Sequence, residues 1–393
     1  MVQILNNLIA EVAGSLLRPA WRYILALPWL ARALVLLVLL ATGYISIFPE
    51  SARSTWSLAS NIIRVVWAGD SRIPIDLSIA QKARAKIDRL KISLTSYFPD
   101  KLDVSPWAAA QVALATYGGS TNDKNEIISF LRNAAEPGCG CWRDIPGDPG
   151  KPLNIFISGW VLLAFAQMDA PGTKEEYQFL INAQKKDGSW SPFPLGSNRR
   201  YASTYSTALA ILGLKAQLKN IVDNSDNVLV SSAVLKGSAW LLANRASDAR
   251  WKDYPFLPQG EPRTSVSGVV LHALHQTVPD QLHEIDIEWL DKLPPGPVSV
   301  EMKDQPYVNF KTKEGGSEFD TFVYIQLPWL LIGTVDAYHN GGIVQRAHAL
   351  AWIETALDQT SVASADTLPD PWWRAEVLYS IKYVLARASD DAK

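Results

Sequence analysis

The chain has 393 residues, 48% of them apolar and 19% charged, with 37 Lys and Arg against 39 Asp and Glu. That much apolar surface excludes a largely disordered chain, and the balanced charge argues against nucleic acid as a partner. Two cysteines are too few for a disulfide scaffold or a four-cysteine zinc site. Fifteen tryptophans against 13 tyrosines and 11 phenylalanines show a heavy use of large flat rings.

In chain order, residues 4–19 pattern as a short amphipathic helix suited to a membrane surface. The uncharged run Ala33–Phe48, extended by Leu25–Leu30 around Arg32, is long enough to cross roughly 30 Å of hydrocarbon. Trp21, Tyr23 and Trp29 suit the interfacial belt on its leading side. The stretch ahead of the run is too long for the charged segment of a cleaved signal peptide, and no A-x-A site follows. An uncleaved single-pass anchor in a lipid bilayer is therefore expected. Arg18, Arg22 and Arg32 precede the span, whereas Arg53 and Arg64 follow it with Glu50 between, which slightly favours an extracytoplasmic position for the bulk of the chain. Residues 1–50 thus read as interfacial helix and anchor, 51–78 as a juxtamembrane connector, and 79–393 as one globular domain.

That domain repeats itself. Apolar segments open at Ser105, Ser158, Ser206, Ser267, Thr321 and Trp373, spaced 53, 48, 61, 54 and 52 residues apart. Most start on a residue able to cap a helix, and each is apolar nearly all round, as a buried helix must be. A more amphipathic segment precedes each one: Gln81–Tyr97, Lys124–Ala135, Thr173–Gln184, Val228–Arg245, Gln281–Leu293 and Val344–Gln359. Six outer and six inner helices predict an all-α, closed (α/α)6 toroid; an open solenoid of helical pairs is the alternative. No strand-like alternation of useful length appears, and Pro328 is expected to kink the fifth inner helix.

The loop of the third hairpin reads Gln184-Lys-Lys-Asp187-Gly188-Ser-Trp190, with Gln184 ending the outer helix, Asp187-Gly188 turning and Trp190 covering the helix ends. It resembles the Q-x-x-D-G-S-W motif of the squalene–hopene cyclase and protein prenyltransferase superfamily. Degenerate copies stand at Phe130 to Trp142 and at Trp240 to Trp251. The resemblance spans about residues 80–390 and implies a terpenoid cyclase-like α/α toroid. The motif itself is a structural staple, which speaks for fold and not for chemistry.

Class II cyclases of that superfamily protonate an alkene with the middle Asp of D-x-D-D-T, and aromatic faces stabilise the carbocation. Ser317-Glu-Phe-Asp320-Thr321 is the nearest match, and it puts Phe319 where the proton donor should be. Phenylalanine cannot donate a proton, so the acid motif is degenerate. Asp320 is then either a rearranged acid or a helix cap. Prenyltransferases of the superfamily bind zinc, and Cys139, Cys141, His272 and His275 have the donor types for a tetrahedral site. They belong to separate hairpins, however, and no metal or cofactor is expected. Gly138-Cys-Gly-Cys141 also resembles the thioester loop of complement-like toroids, but Cys141-Trp142 replaces the required Glu-Gln. In an oxidising compartment the two thiols can instead oxidise together.

The candidate ligand-binding residues are Trp107, Trp160, Tyr205, Tyr324 and Trp329 on or beside inner helices, and Tyr254 and Trp372 on loops. Arg199 and Arg200, near the start of an inner helix, suit a phosphate or diphosphate. The combined expectation is a membrane-tethered toroid that holds an isoprenoid or lipid in an aromatic cavity. One alternative is an active isoprenoid cyclase or transferase, which predicts a buried carboxyl with a raised pKa. Another is a protein-interaction or carbohydrate-active domain, which in the second case predicts paired carboxylates in a wide polar cleft.

Overall fold

The computed structural model describes residues 49–69, 72–95, 105–116, 121–193, 201–257, 261–282, 289, 303–304, 307–311, 317–321, 324–358 and 370–388. They fall in two compact units, Met1–Gly69 and Asp70–Lys393. The first holds α1 (Pro49–Ala68), a 20-residue helix where a connector is expected from sequence. Among the described residues no helix is long and apolar enough to cross a membrane. The expected surface helix at 4–19 and anchor at 33–48 lie outside the described residues.

The second unit is built of helical hairpins. Its inner helices are α3 (Pro106–Thr116), α5 (Ile155–Gln167), α7 (Thr204–Gln217), α9 (Thr264–Thr277), α10 (Gln326–Asn340) and α12 (Pro371–Ala386). Its described outer helices are α2 (Leu77–Thr95), α4 (Thr121–Asn133), α6 (Lys174–Ala183), α8 (Asn224–Ala243) and α11 (Ile343–Asp358). In the remaining outer place, expected at Gln281–Leu293, Trp289 is described as helical and buried. Each inner helix packs on the next, and α12 packs back on α3, so the ring closes as a toroid rather than an open solenoid. The closure is pinned where Ile73 N–H donates to the Arg387 carbonyl at 2.9 Å. Lys86 Nζ adds a bond from α2 to the Leu357 carbonyl at the end of α11, also at 2.9 Å.

Burial follows the composition. Ten of the thirteen residues of inner helix α5 are buried, against three of ten in outer helix α6, so only the inner ring must be apolar all round. Two inner contacts are backbone to backbone. A side chain at Gly159 would meet the Leu209 carbonyl at 2.6 Å, and one at Gly213 would meet the Gly159 carbonyl at 2.7 Å. Gly268 and Gly333 make the same close approach between α9 and α10. Helix starts carry the expected caps: Asn154 for α5, Ser203 for α7, Asp223 for α8, and a full Thr173–Glu176 capping box for α6.

The tryptophan staple recurs in three successive hairpins. The indole N–H groups of the fully buried Trp142, Trp190 and Trp251 donate to the carbonyls of Leu131, Leu180 and Leu241, at 2.7, 2.7 and 2.8 Å. These carbonyls lie near the ends of the preceding outer helices, where intrahelical donors run out; that of Leu241 also accepts from the Asn244 N–H at 3.2 Å. The backbone N–H groups of Asn154, Ser203 and Arg263 then return to the three tryptophan carbonyls, each at 2.9 Å. Gln184 Nε2 bonds both the Gly188 and the Ala233 carbonyls, at 2.9 and 2.8 Å, and so ties the third hairpin to α8.

Two expectations need correction. Residues before the fifth inner helix form strands: β1 (Lys303–Asp304), β2 (Tyr307–Lys311), β3 (Ser317–Thr321) and β4 (Tyr324–Ile325). β2 pairs antiparallel with β3, with Asn309 opposite Phe319, and β1 pairs with β4. Aromatic and β-branched residues in these segments favour the pleat, and the pairing delays the helix until Gln326. Pro328 therefore sits in the first turn of α10. Its missing N–H has no intrahelical role there, so it starts the helix instead of kinking it.

Candidate functional site

The inner helices run parallel, which brings residues of equal height together around the axis. In their amino-terminal half the axis is filled. Trp160 from α5 and Trp329 from α10, on opposite sides of the ring, approach to a ring-centroid distance of 5.6 Å. Tyr205 of α7 stands against both indoles, and burial raises its phenol pKa well above the ordinary value, with Glu376 adding to the effect. Glu376 of α12 is buried and accepts from Gln111 Nε2 at 2.6 Å. Burial pushes its carboxyl up to about 8, so it is held neutral at neutral pH. Gln111 Oε1 is buried without a hydrogen-bond partner among the described residues, and the indole N–H of Trp160 is directed at the Tyr205 hydroxyl. Nearer the amino-terminal mouth, Trp107 packs on Trp372 at 4.5 Å between centroids and edge-on to Phe156 at 6.3 Å.

Toward the carboxyl-terminal ends the ring opens into a cavity of about 480 Å³. Leu114, Leu163, Ala166, Leu212, Ala216 and Ala386 give it apolar walls. His272, Gln276, Tyr379 and Tyr383 line it as well, and so do Lys215, Lys219, Lys382 and Arg387. Behind His272 and Tyr383 lies the fully buried carboxylate of Asp336. It accepts from Tyr383 Oη at 2.5 Å and holds His272 Nδ1 at 2.9 Å. Holding Nδ1 fixes the imidazole with Nε2 as its other ring nitrogen. His275 Nε2 lies 3.7 Å from the same carboxylate, and burial lowers its pKa. Tyr383 is pushed far up by burial and by Asp336, so its phenol stays protonated as a donor. Lys382 is pulled down to about 8 by burial, with Lys91 contributing, while its ammonium donates to the Ala115 carbonyl at 3.0 Å. The Arg387 guanidinium stacks on the Tyr383 ring, 3.4 Å from its centroid.

Of the residues singled out from sequence, Trp160, Tyr205 and Trp329 meet in the hub, and Trp107 and Trp372 meet above it. Tyr254 packs with Tyr201 and Leu257 in a separate loop cluster. Asp320 and Tyr324 belong to β3 and β4, opposite Val308 and Asp304, so Asp320 does not cap α10. Arg199 and Arg200 lie outside the described residues. Cys139 and Cys141 form a disulfide, and His272 and His275 face Asp336, so the four donors do not meet. Among the described residues no group of three or more His, Cys, Asp and Glu is placed to hold a metal ion. Sequence reasoning missed Asp336 and the cations of the cavity. A signal existed for Asp336, which is the one charged residue between Gln326 and Tyr338.

No protein-family model matches the sequence, and no curated protein matches it. Among solved structures, a family 76 glycoside hydrolase from a bovine Bacteroides thetaiotaomicron strain is similar over 78% of this chain and 77% of its own, with a TM-score of 0.50 and 10% identity. A type II terpene cyclase from Scytonema, bound to geranylgeranyl dihydroxybenzoate, is similar over 78% of this chain and 98% of its own, with a TM-score of 0.48 and 13% identity. The ent-copalyl diphosphate synthase of Streptomyces platensis covers 71% of this chain with a TM-score of 0.44 and 16% identity, and this chain spans 50% of that one. At such identities the likeness concerns fold. The chain is an α/α toroid, as the hairpin count implies.

Proposed function

We propose that the toroid binds a hydrophobic ligand, an isoprenoid or lipid, in the cavity at the carboxyl-terminal ends of its inner helices. The observation behind this reading is the cavity itself: about 480 Å³, with leucine and alanine walls and tyrosine rings. Pockets of roughly 300–1,000 Å³ suit small ligands; here leucine, alanine and tyrosine side chains offer the apolar surface, while His272, two glutamines and four cations share the lining. In the same reading the run Ala33–Phe48 tethers the toroid to the bilayer, beside the source of that ligand. The test is lipid extraction and mass spectrometry of the detergent-purified full chain beside Ala216→Trp, which fills the cavity. A lipid carried by the parent and lost from the folded variant supports the reading; equal lipid in both, or none in either, refutes it.

A second reading, an active isoprenoid cyclase with a non-standard acid, is favoured by Glu376. It is a buried, neutral carboxyl next to Tyr205 and the Trp160–Trp329 pair, whose ring faces suit a carbocation. The partnerless Gln111 Oε1 beside it is the kind of buried polar atom that a ligand or ordered water satisfies. Incubation with squalene and with geranylgeranyl diphosphate, followed by gas chromatography, checks it. A cyclised product that disappears in Glu376→Gln supports this reading, and unchanged substrate counts against it.

A further inference from the structure

We infer that Cys139 and Cys141 form a reversible redox site: a dithiol reductant opens their disulfide in the folded chain and loosens the turn ahead of Trp142. In the third and fourth hairpins, the turn before the staple tryptophan is closed by an aspartate three residues ahead of the ring. Asp187 Oδ1 accepts from the N–H and the hydroxyl of Ser189 at 3.0 and 2.7 Å. Asp248 Oδ1 and Oδ2 accept from the N–H and Nε of Arg250 at 3.1 and 2.9 Å. In the second hairpin the same two places, three residues and one residue before Trp142, hold Cys139 and Cys141, joined as a disulfide. The residue between them has a positive φ in all three turns: Gly140 at +56°, Gly188 at +95° and Ala249 at +64°. A covalent bond therefore stands where the sister turns use hydrogen bonds.

Since hydrogen bonds close the matching turns of the next two hairpins, this turn does not need a covalent bond in order to form. A cross-link between residues two apart also closes a very short loop. It removes little entropy from the unfolded chain, and the fold in return does little to keep it shut. The two sulfurs are unequally placed. Cys141 is fully buried beside Trp142, whereas Cys139 is half-buried and follows the exposed Pro137 and Gly138. An incoming thiolate therefore reaches Cys139 Sγ, where it forms a mixed disulfide as the Cys139–Cys141 bond breaks and the Cys141 sulfur leaves and takes up a proton. The reductant's second thiol then displaces Cys139, leaving two thiols on the chain and a disulfide on the reductant. Two electrons and two protons pass to the chain. The freed loop touches three helices. Trp142 bonds the Leu131 carbonyl of α4 and the N–H of Asn154 ahead of α5. Gly140 lies so close to the first turn of α6 that a Cβ there would stand 2.7 Å from the Glu176 nitrogen.

The test uses the full chain in neutral detergent, well below its Tm. Treatment with dithiothreitol, then iodoacetamide and intact-mass measurement, should find both cysteines alkylated while the circular dichroism of the helices is unchanged. The Tm of the reduced chain should fall by about 2–5 °C. The double variant Cys139→Asp, Cys141→Ser copies the Asp187–Ser189 turn; it should fold and keep one Tm with and without dithiothreitol. In glutathione disulfide, Cys141→Ser should take up one glutathione on Cys139, and Cys139→Ser should take up none. A parent that stays oxidised in dithiothreitol until it unfolds makes the bond a permanent brace and overturns the inference. Equal labelling of the two single variants, or a reduced parent whose Tm matches that of the oxidised chain, overturns it as well. A double variant that does not fold shows that the turn depends on its covalent bond, which also contradicts a site that opens in the folded chain.

Discussion

Trp160 and Trp329 reach toward each other from opposite walls of the inner ring and meet across its axis at 5.6 Å between ring centroids. The pair converts the hole of the toroid into a floor. Rings above it pack as core, and the void lies below it, at the carboxyl-terminal ends. Because both indoles are almost fully buried, removing one leaves a gap that the ring of helices cannot close. Trp160→Ala should therefore cost about 3–5 kcal/mol in urea unfolding and open the floor to a larger ligand. A cost below about 1 kcal/mol would mean that the hub is not packed as described.

Glu376 makes stability depend on pH. Its folded pKa is about 8 against an ordinary 4.5, so the folded chain holds a proton that the unfolded chain has lost. The contribution is complete below the ordinary value and is lost as pH rises through about 8. Between those limits unfolding free energy should fall by up to about 1.4 kcal/mol per pH unit. Glu376→Gln should flatten that slope, and urea titrations across the window measure it. Parallel slopes in parent and variant would show that Glu376 is not held neutral.

Asp336 serves Tyr383 and His272 together. Asp336→Asn should destabilise by about 1–3 kcal/mol, because it weakens two buried hydrogen bonds at once. Tyr383→Phe should cost about 1 kcal/mol. In a double-mutant cycle the pair should show a coupling of about 0.5–3 kcal/mol, the range expected of groups in direct contact. Additive effects would contradict the bond at 2.5 Å.

Gly188 turns the staple loop at φ +95°, and a Cβ there would stand 2.5 Å from the Lys236 carbonyl. Gly188→Ala should lose about 1–3 kcal/mol, through strain at that φ and displacement of α8. Thermal unfolding reads the loss, and a Tm equal to the parent's would contradict this placement of the turn.

The staples were legible in the sequence because they are local. Each of Trp142, Trp190 and Trp251 bonds a leucine carbonyl ten or eleven residues back, so one spacing repeats along the chain. Helix caps such as Thr173 and Asp223 are local for the same reason. The meeting of Trp160 with Trp329 was not legible, since it depends on the radius of a ring closed by all the hairpins. Asp336 and Tyr383, 47 residues apart, meet only because α10 and α12 are neighbours in that ring. Lys382 and Arg387 read as ordinary residues of a helix end until the ring places them around a void. Pro328 misled because its effect depends on where α10 starts, and the pairing of β3 with β2 decides that.

Photolabelling of the full chain with a diazirine analogue of farnesol, followed by peptide mapping, locates the bound tail directly. Labels on the peptides that carry Leu163, Leu212 and Tyr379, suppressed by Ala216→Trp, are the expected result. Labels confined to outward positions such as Val228 and Leu235 of α8, or no labelling at all, would contradict a ligand inside the ring.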